Sequence, residues 1–398
     1  MPESKLYRQR NLQIVFAVTL MSVLGISTIT PAFPQIIDAG IATKGQVGLL
    51  LTFFALPGIF IAPFLGVLAD RLGRKKILVP SLFLFAITGT ACAFAHDFEL
   101  LLLLRVLQGA GAAALGSLNL TIIGDLYSGT QRAEAMGLNV SLLNIGTALY
   151  PTIGGALALL GWYYPFALPI LAVPVGILVL TSLENPEPTS TQSMRTYLSG
   201  TWRYLKDIRV IGLFAAAVAT FIFLFGSYLT YFPMLLDERF GASSFIIGIV
   251  MSSMSLTTAA VASQLGKINR KFSLGILIKG GFVIYALGML LIAFIPNLWL
   301  LLIATVVFGL AHGTVLPGIM TSVASLAPLE HRGAFMSVNG AVLRSGQTIG
   351  PPLMGAAYAL WALNGPFIAG AALALTAAIV GTLFGIKARQ TDSPKGTN

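Results

Sequence analysis

Apolar residues in this chain come in runs long enough to cross a lipid bilayer, separated by short polar segments. Six such runs precede a long polar interval and six follow it. A helix needs about 20 predominantly apolar residues to cross the hydrocarbon core. The pattern predicts twelve membrane-crossing helices, at 12–34, 45–68, 76–95, 99–123, 133–158, 162–182, 209–234, 244–266, 274–296, 298–322, 333–359 and 364–386.

The scarcity of charge identifies the solvent of this chain. Only 10% of the 398 residues are charged and the mean hydropathy is +0.86, whereas soluble domains are about one quarter charged. Too little polar surface is available to cover a water-exposed fold of this length. We therefore expect an all-α membrane protein surrounded by lipid.

Basic residues orient the predicted helices. With a cytoplasmic N-terminus, 19 of the 24 Lys and Arg residues fall on the cytoplasmic side and only Lys44 and Arg239 fall outside. The remaining three, Arg105, Lys279 and Arg344, lie within runs. Cytoplasmic loops of membrane proteins carry this excess of positive charge. We expect both termini in the cytoplasm and a multi-pass protein of the bacterial inner (plasma) membrane.

Several classes of function do not fit the composition. The net charge of +10 is scattered among loops rather than gathered into a nucleic-acid-binding patch. The single cysteine, Cys92, allows no internal disulfide and no thiolate metal site. The three histidines, His96, His312 and His331, are far apart in sequence. We expect neither an enzyme nor a protein with a metal or cofactor.

The two groups of six runs are copies of each other. Shifting the sequence by 200 residues aligns a set of identical residues in a gap-free register. Arg132, Met136, Asn139, Gly146, Pro151, Gly155, Gly66 and Gly109 fall on Arg332, Met336, Asn339, Gly346, Pro351, Gly355, Gly266 and Gly309. Such repeats place a substrate site at their interface and rock to give alternating access. We divide the chain into bundles at 1–182 and 209–398, joined by a cytoplasmic linker at 183–208.

A charged loop, GVLADRLGRKK (Gly66–Lys76), joins the second and third runs. Gly66 and Gly73 permit close approach and turning of the backbone. Asp70 can pair with Arg71 or Arg74 or cap a neighbouring helix. The basic residues could simply enforce topology, or the loop could be a latch that opens when the halves rock.

This loop resembles the signature G-x-L-A-D-R-x-G-R-K of the major facilitator superfamily at every defined position. In that family the loop gates the cytoplasmic side, and its Asp and second Arg cluster with an acid that ends the fourth helix. The resemblance implies this role for Asp70, Arg74 and Asp125.

Three further motifs resemble those of the twelve-span drug:proton antiporters. They are LGISTITPAFP (24–34), RVLQGAGAA (105–113), which contains Arg105, Gln108 and Gly109, and GTALYPTIGG (146–155). The last departs at Tyr150, where the family has Gly. Tyr150 could pack or could present its phenol to a substrate. The fifth run and its copy predict a tightly packed seam, containing Gly146, Tyr150, Pro151, Gly154, Gly155, Gly346, Gly350 and Pro351.

Ionisable residues inside the runs are costly in lipid and point to function. Arg105 could anchor to the outer interface, or face the interior to bond carbonyls or take part in proton coupling. Arg344, 11 residues into its run, is expected in the central cavity, while Lys279 is expected to snorkel. His312 could be a packed neutral ring or a titrating group.

All 14 acidic residues fall in loops or at the ends of runs. The lack of a carboxylate deep within a run argues against a cationic cargo and makes Arg344 and Arg105 candidate partners for a neutral or anionic amphiphile. Proton coupling would need Asp38, Asp125 or His312. His312 is also a candidate for the substrate cavity. The family geometry implies further candidates there: Ser27, Thr28, Asn119, Asn144, Phe221, Phe225, Tyr228, Met254 and Gln347.

Together these observations predict a monomeric secondary transporter. We expect it to export a hydrophobic or amphiphilic small molecule in exchange for protons. The alternative is an importer or exchanger of small organic anions on the same fold, with Arg344 as the anion ligand.

Overall fold

The structure, a computed structural model, describes residues 6–184, 206–326 and 332–383. In these ranges the regular structure is helical throughout. Ten helices there are long and apolar enough to cross a membrane. The longest stretch, Val338–Val380, contains parts of two successive helices, and Leu49–Ala62 is a shorter apolar helix.

The first half of the chain has seven α-helices among its described residues. They are α1 (Arg10–Ser27), α2 (Phe33–Asp38), α3 (Leu49–Leu72), α4 (Arg74–Ala91), α5 (Phe98–Leu126), α6 (Gly129–Ala158) and α7 (Ala172–Ser182).

The second half also has seven α-helices within the described ranges. They are α8 (Ile208–Phe221), α9 (Phe232–Phe240), α10 (Ser244–Asn269), α11 (Leu274–Phe294), α12 (Leu301–Leu326), α13 (Arg332–Trp361) and α14 (Gly365–Leu383). A ten-residue π-helix, Ile222–Tyr231, connects α8 to α9.

Helices occupy the predicted runs, but prolines interrupt some of them. The first run ends as a regular helix at Ser27, passes through a 3-10 turn at Thr30–Ala32 and resumes in α2. The sixth run begins as a 3-10 helix, Tyr164–Leu171, which contains two prolines. Proline lacks the N–H that an α-helical hydrogen bond requires, so such breaks are expected beside it.

Contacts between chain segments define the two ends of the bundle. At one end, the start of α1 meets the end of α7 through a hydrogen bond from Arg10 to the Ser182 hydroxyl. Lys75 at the start of α4 donates to the Leu183 carbonyl there, at 2.9 Å. We call this the motif end, because it holds the charged loop. The opposite end, which contains Lys44 and Glu238, is called the sealed end.

The 200-residue register recurs in the packing. A Cβ added at Gly109 of α5 would meet the carbonyl of Phe54 in α3, and one added at Gly309 would meet the carbonyl of Met254. Positions 54 and 254 are themselves 200 residues apart, so equivalent glycines admit equivalent helices.

Candidate transport pathway between the two halves

Three polar contacts join the first half of the chain to the second within the described residues. Lys44 Nζ lies 2.9 Å from Glu238 Oε1, and this hydrogen bond raises the pKa of Lys44. The Thr52 hydroxyl donates to the Thr348 carbonyl at 3.0 Å. The hydroxyls of Thr152 and Ser252 are 2.8 Å apart. All three contacts lie toward the sealed end.

Glycines bring the helix backbones of the two halves together at this end. A Cβ at Gly155 of α6 would collide with the carbonyl of Ser244 at the start of α10. A Cβ at Gly248 of α10 would collide in turn with the carbonyl of Pro151. In the other crossing, a Cβ at Gly48 would stand 2.9 Å from the Pro351 side chain. The helices are therefore so close that the path between the halves is shut here.

Toward the motif end, the last of these approaches is between Gly58 of α3 and Arg344 of α13. A Cβ at Gly58 would lie 2.9 Å from Arg344 Nε. Arg344 is 12 residues after the first residue of α13, which places it about 18 Å along the helix. No hydrogen bond or ion pair in the described ranges joins the halves nearer the motif end. The guanidinium thus lies midway, where the closed part of the interface stops.

Arg344 carries an unneutralised charge at this level. Its side chain is half-buried, and no acidic group or hydrogen-bond acceptor of the described residues contacts it. One turn away, the buried Oε1 atom of Gln347 also has no partner. A charge in such a place requires water or a ligand as its partner. The arrangement suits an anionic or hydrogen-bond-accepting group of a substrate.

Arg105 lies in the interior of the first half, as one sequence reading predicted, and does not reach an interface. It is fully buried. Its Nη1 donates to the Gly25 carbonyl at 2.9 Å and its Nε to the Leu50 carbonyl at 3.1 Å. Its guanidinium carbon lies 4.4 Å from the Phe54 ring centroid. Arg105 therefore ties α1 and α3 to α5.

Gln108 accepts a second hydrogen bond from Arg105 Nη1, at 2.7 Å. Arg105 Nη2 and Gln108 Nε2 are buried without partners in the described structure. Gly109 lets α5 pack directly against the backbone of α3 at Phe54 here. The three motif residues thus act together as a polar brace.

An ion pair links the charged loop to α5 within the first half. Arg74 Nε lies 3.0 Å from Asp125 Oδ2, joining α4 to the end of α5 as the motif implies. Gly73 has φ +98°, a left-handed conformation that favours glycine. Arg71 is exposed, and the Asp70 side chain lies outside the described structure.

The expectation of a close approach at Gly66 is not met in this conformation. No atom of the described residues lies within 4 Å of the position that its Cβ would occupy. The loop turns at Gly73 and is tied to α5 by the Arg74–Asp125 ion pair.

The seam glycines serve two different contacts. Gly154 meets the backbone of Thr28 in the first half, whereas Gly155 meets the second half. In the copied helix, Gly346 and Gly350 pack on α8 and the π-helix. Gly146 faces Leu20 and Val23 of α1. Each seam helix thus packs against its own half with one face and against the other half with the adjacent face.

Tyr150, the departure from the family motif, is half-buried against the apolar core of the first half. Its ring approaches Gly146. Its hydroxyl has no hydrogen-bond partner in the described ranges. Packing explains the ring, and the hydroxyl remains available to solvent or a ligand.

Two expected cavity residues are instead part of the interior packing of the first half. Thr28 is fully buried and its hydroxyl donates to the Leu24 carbonyl at 2.8 Å. Asn119 is buried and bonds the hydroxyl of Thr19, which also bonds Asn139. Because their polar atoms are taken up by neighbouring helices, these side chains are not offered to a substrate here.

The aromatic candidates of the second half are also buried in this conformation. Phe221, Phe225, Tyr228 and Met254 belong to its core. The rings of Phe221 and Phe225 lie 5.9 Å apart. These residues would contact a substrate only after the helices move.

Ser27 and Asn144 are half-buried, and the side-chain polar atoms of both lack partners among the described residues. Lys279, expected to snorkel, is half-buried near the motif end of α11. The first two remain candidates for a polar cavity wall.

His312 is buried and its Nδ1 hydrogen-bonds the hydroxyl of Tyr285. The two rings are 6.2 Å apart and inclined at 74°. Tyr285 packs on Phe308 at 4.9 Å, and Phe308 stacks on Tyr228 at 4.9 Å. His312 is therefore a bonded ring at the edge of an aromatic cluster.

Sequence reasoning missed several of these features. Tyr285 looked like one aromatic residue among many, and nothing local marks it as a partner of His312. The Lys44–Glu238 pair joins a loop residue to a helix residue 194 positions further along the chain. The π-helix follows an ordinary apolar run. Asn139 alone carried a signal, since the repeat register already aligned it with Asn339.

Comparison with known proteins agrees with this architecture. A sequence profile of the Major Facilitator Superfamily matches residues 15–295 and 223–398. The Bacillibactin exporter of Bacillus subtilis (strain 168) is 25% identical over 367 residues, covering 87% of this chain and 89% of that protein. Quinolone resistance protein NorA of Staphylococcus aureus (strain COL) is 26% identical over 343 residues, covering 84% and 86%.

Solved structures share the fold. A mutant of the nucleoside transporter NupG superimposes with a TM-score of 0.81 at 15% identity, over 95% of this chain and all of that one. A bacterial homologue of the human lysosomal transporter Spinster, inward-facing and occupied, gives 0.79 at 20% identity, over 96% and 97%. With the profile match along its length, this chain belongs to the major facilitator superfamily.

Proposed function

We propose that the protein is a secondary active exporter of a hydrophobic or amphiphilic small molecule, driven by inward movement of protons. Twelve membrane-crossing helices form halves at 1–182 and 209–398, linked by 183–208, which rock about the substrate in the bacterial inner membrane. One observation carries the proposal. The interface is shut at the sealed end, and the Arg344 guanidinium, which no acceptor of the described residues contacts, lies where that closure stops.

The distribution of charge supports the direction of the open side. Lys and Arg concentrate at the motif end, which the positive-inside rule assigns to the cytoplasm. The described conformation would then be accessible from the cytoplasm, as an exporter must be when it loads. The names of two relatives, a bacillibactin exporter and a quinolone resistance protein, support the export of a small molecule.

A second candidate, import or exchange of small organic anions, is favoured by Arg344 itself. A half-buried guanidinium without a carboxylate attracts an anionic group more strongly than a neutral one. A solved relative of the same fold is described as a human organic anion transporter, with a TM-score of 0.68 at 19% identity. At that identity the likeness supports the fold and leaves the cargo to experiment.

The experiment uses purified protein in liposomes with an imposed pH gradient, acidic inside. Norfloxacin, a fluorescent quinolone, and radiolabelled salicylate, a small organic anion, are the probes. Protein molecules whose cytoplasmic face is turned outward would carry norfloxacin into the liposomes. We expect norfloxacin to accumulate inside only when the pH gradient is present. Accumulation of norfloxacin without the gradient removes the antiport proposal. Gradient-independent exchange of salicylate alone supports the second candidate.

Arg344→Gln tests the site, with Lys279→Gln as the matched control. Both remove one intramembrane cation of the second half, but only Arg344 faces the interface between the halves. Loss of a charged hydrogen bond costs about 1.5–3 kcal/mol, so we expect apparent affinity to fall about 10- to 150-fold. Equal effects of the two variants would show that Arg344 acts through general electrostatics and does not bind substrate.

A further inference from the structure

We propose that the Tyr285–His312 pair is the proton-carrying group of the transport cycle. The proposal rests on the proposed proton-coupled function and names the site that coupling would use. It stands on the position of the pair, on the hydrogen bond between the two side chains and on the aromatic layer beside them, which consists of Phe308, Tyr228 and Phe232.

The other candidate carriers lie at the ends of helices. Asp125 pairs with Arg74 at the motif end. Asp38 is the last residue of α2 at the sealed end, where Glu238 pairs with Lys44. His312 is 11 residues after the first residue of α12, or about 17 Å along the helix. Among the side chains that the structure describes, it is the mid-bundle group whose ordinary titration range lies nearest neutral pH.

The helices around His312 bring few other ionisable groups. From α11 the ring meets Tyr285, and Lys279 lies six residues before that tyrosine. Tyr228, from the π-helix, stacks on Phe308 one turn away. The α10 and α8 helices carry one ionisable side chain each, Lys267 and Arg209, both at the motif end. Protonation of His312 is therefore governed mainly by its bond to Tyr285 and by access of water.

The bond itself couples protonation to packing. A neutral His312 that accepts from the phenol at Nδ1 carries its hydrogen on Nε2, which leaves one donor without a partner. The opposite tautomer would leave both the phenol hydrogen and the Nε2 lone pair unpaired, so the first arrangement is preferred. When a proton arrives at Nδ1, the ring becomes a donor at both nitrogens. The phenol must then turn from donor to acceptor, and its hydrogen needs another acceptor.

That rearrangement reaches the aromatic layer on the sealed-end side of His312. Phe308 is one turn nearer the sealed end, and its ring packs on Tyr285 at 4.9 Å. The stack continues through Tyr228 to Phe232, with centroids 5.0 Å apart. Because Tyr285 is fully buried, its hydroxyl hydrogen can gain a new acceptor only from the groups packed around it or from water that enters when these rings shift. The proton is thus exchanged toward the motif end in this conformation and toward the sealed end once the stack moves.

The test compares two activities in liposomes loaded with a pH-sensitive dye. One is norfloxacin accumulation driven by the pH gradient, with the accompanying proton flux. The other is norfloxacin counterflow without a gradient, which needs the binding site and rocking but no net proton movement. His96→Gln is the matched control, because His96 is an exposed loop histidine. We expect His312→Gln to lose gradient-driven accumulation and proton flux at least tenfold while counterflow persists, and His96→Gln to retain both.

The outcomes separate this proposal from the proposed function. If the wild type shows no gradient-driven movement, proton-coupled export fails and the pair has no such role. If the wild type is coupled and His312→Gln remains coupled, only the assignment of the pair is wrong. Should His312→Gln lose counterflow too, Tyr285→Phe decides. This variant lacks the hydroxyl that bonds His312, so the pH at which norfloxacin accumulation is half-maximal must shift. An unchanged midpoint overturns the proposal.

Discussion

Gly155→Ala should open the sealed end. The new methyl group would collide with the carbonyl of Ser244 across the interface, and that carbonyl belongs to backbone at the start of α10. Overpacking of this kind costs about 1–3 kcal/mol. The gain in helix propensity, about 1 kcal/mol, applies in every conformation and cancels. Because the collision exists only while the end is shut, the population should shift away from the shut state about 5- to 150-fold.

The assay reports access to a residue behind the seal. Thr52 is buried and bonds the other half, so a cysteine placed there by Thr52→Cys, with Cys92→Ser, is shielded from a membrane-impermeant maleimide. We expect Gly155→Ala to raise its labelling rate by a factor in the range above. Gly137→Ala lies in the same helix with no atom within 4 Å of its Cβ position, and should leave the rate unchanged.

Two results would refute this reasoning. An unchanged labelling rate in Gly155→Ala would mean that the crossing of α6 and α10 does not close the path. An equal increase in Gly137→Ala would mean that any alanine in α6 has the effect, and the contact with Ser244 would then be irrelevant.

Three other changes have definite expectations. Asp125→Asn should lower transport turnover more than substrate affinity and reduce thermal stability, since the buried Arg74 loses a charge-assisted bond of about 1.5–3 kcal/mol; a purely weakened affinity in a transport titration would contradict a gating role. Arg105→Lys should lower the melting temperature because an ammonium cannot reproduce the guanidinium fork that bonds both Gly25 and Leu50; an unchanged melting curve would count against the brace. Lys44→Met should raise Thr52→Cys labelling by no more than about fivefold, since a partly exposed pair contributes about 0–1 kcal/mol. Because Glu238 raises the pKa of Lys44 above 10.5, that contribution is fully present below pH 10.5 and lost above it, so labelling between pH 7 and 9 should not depend on this lysine.

Patterns that depend on solvent and on local chain geometry were readable from the sequence. The apolar runs located helices because lipid demands about 20 apolar residues per crossing. The 200-residue register was readable because equivalent glycines must admit equivalent neighbours, as Gly109 and Gly309 do. The Arg74–Asp125 pair was implied by the resemblance of the charged loop to the family signature, and Gly73 provides the turn beside it.

Features that depend on which helix face meets which neighbour were not readable. Asn119 was expected in the cavity because its helix lines it, but the rotation of α5 turns the amide toward Thr19. Thr28 was expected there too, yet its backbone is covered by Gly154. Neither rotation has a strong periodic signal, since these helices are apolar on most faces. The partners of Lys44 and His312 are likewise set by tertiary contacts alone.

The repeat register shows where the two copies have diverged chemically. Arg105 and Gln108 in the first half correspond to Thr305 and Phe308 in the second, and Thr305 bonds Ser253 at 2.6 Å. Tyr285 and His312 correspond to Phe85 and Ala112. In the first half, the buried guanidinium of Arg105 bonds backbone carbonyls of two other helices. These bonds make the first half rigid. The second half keeps the Tyr285–His312 hydrogen bond, whose direction would reverse if His312 takes up a proton, beside the stacked rings of Phe308 and Tyr228. We therefore infer that the second half contains the element that changes during the cycle and that the first half is the frame against which it moves.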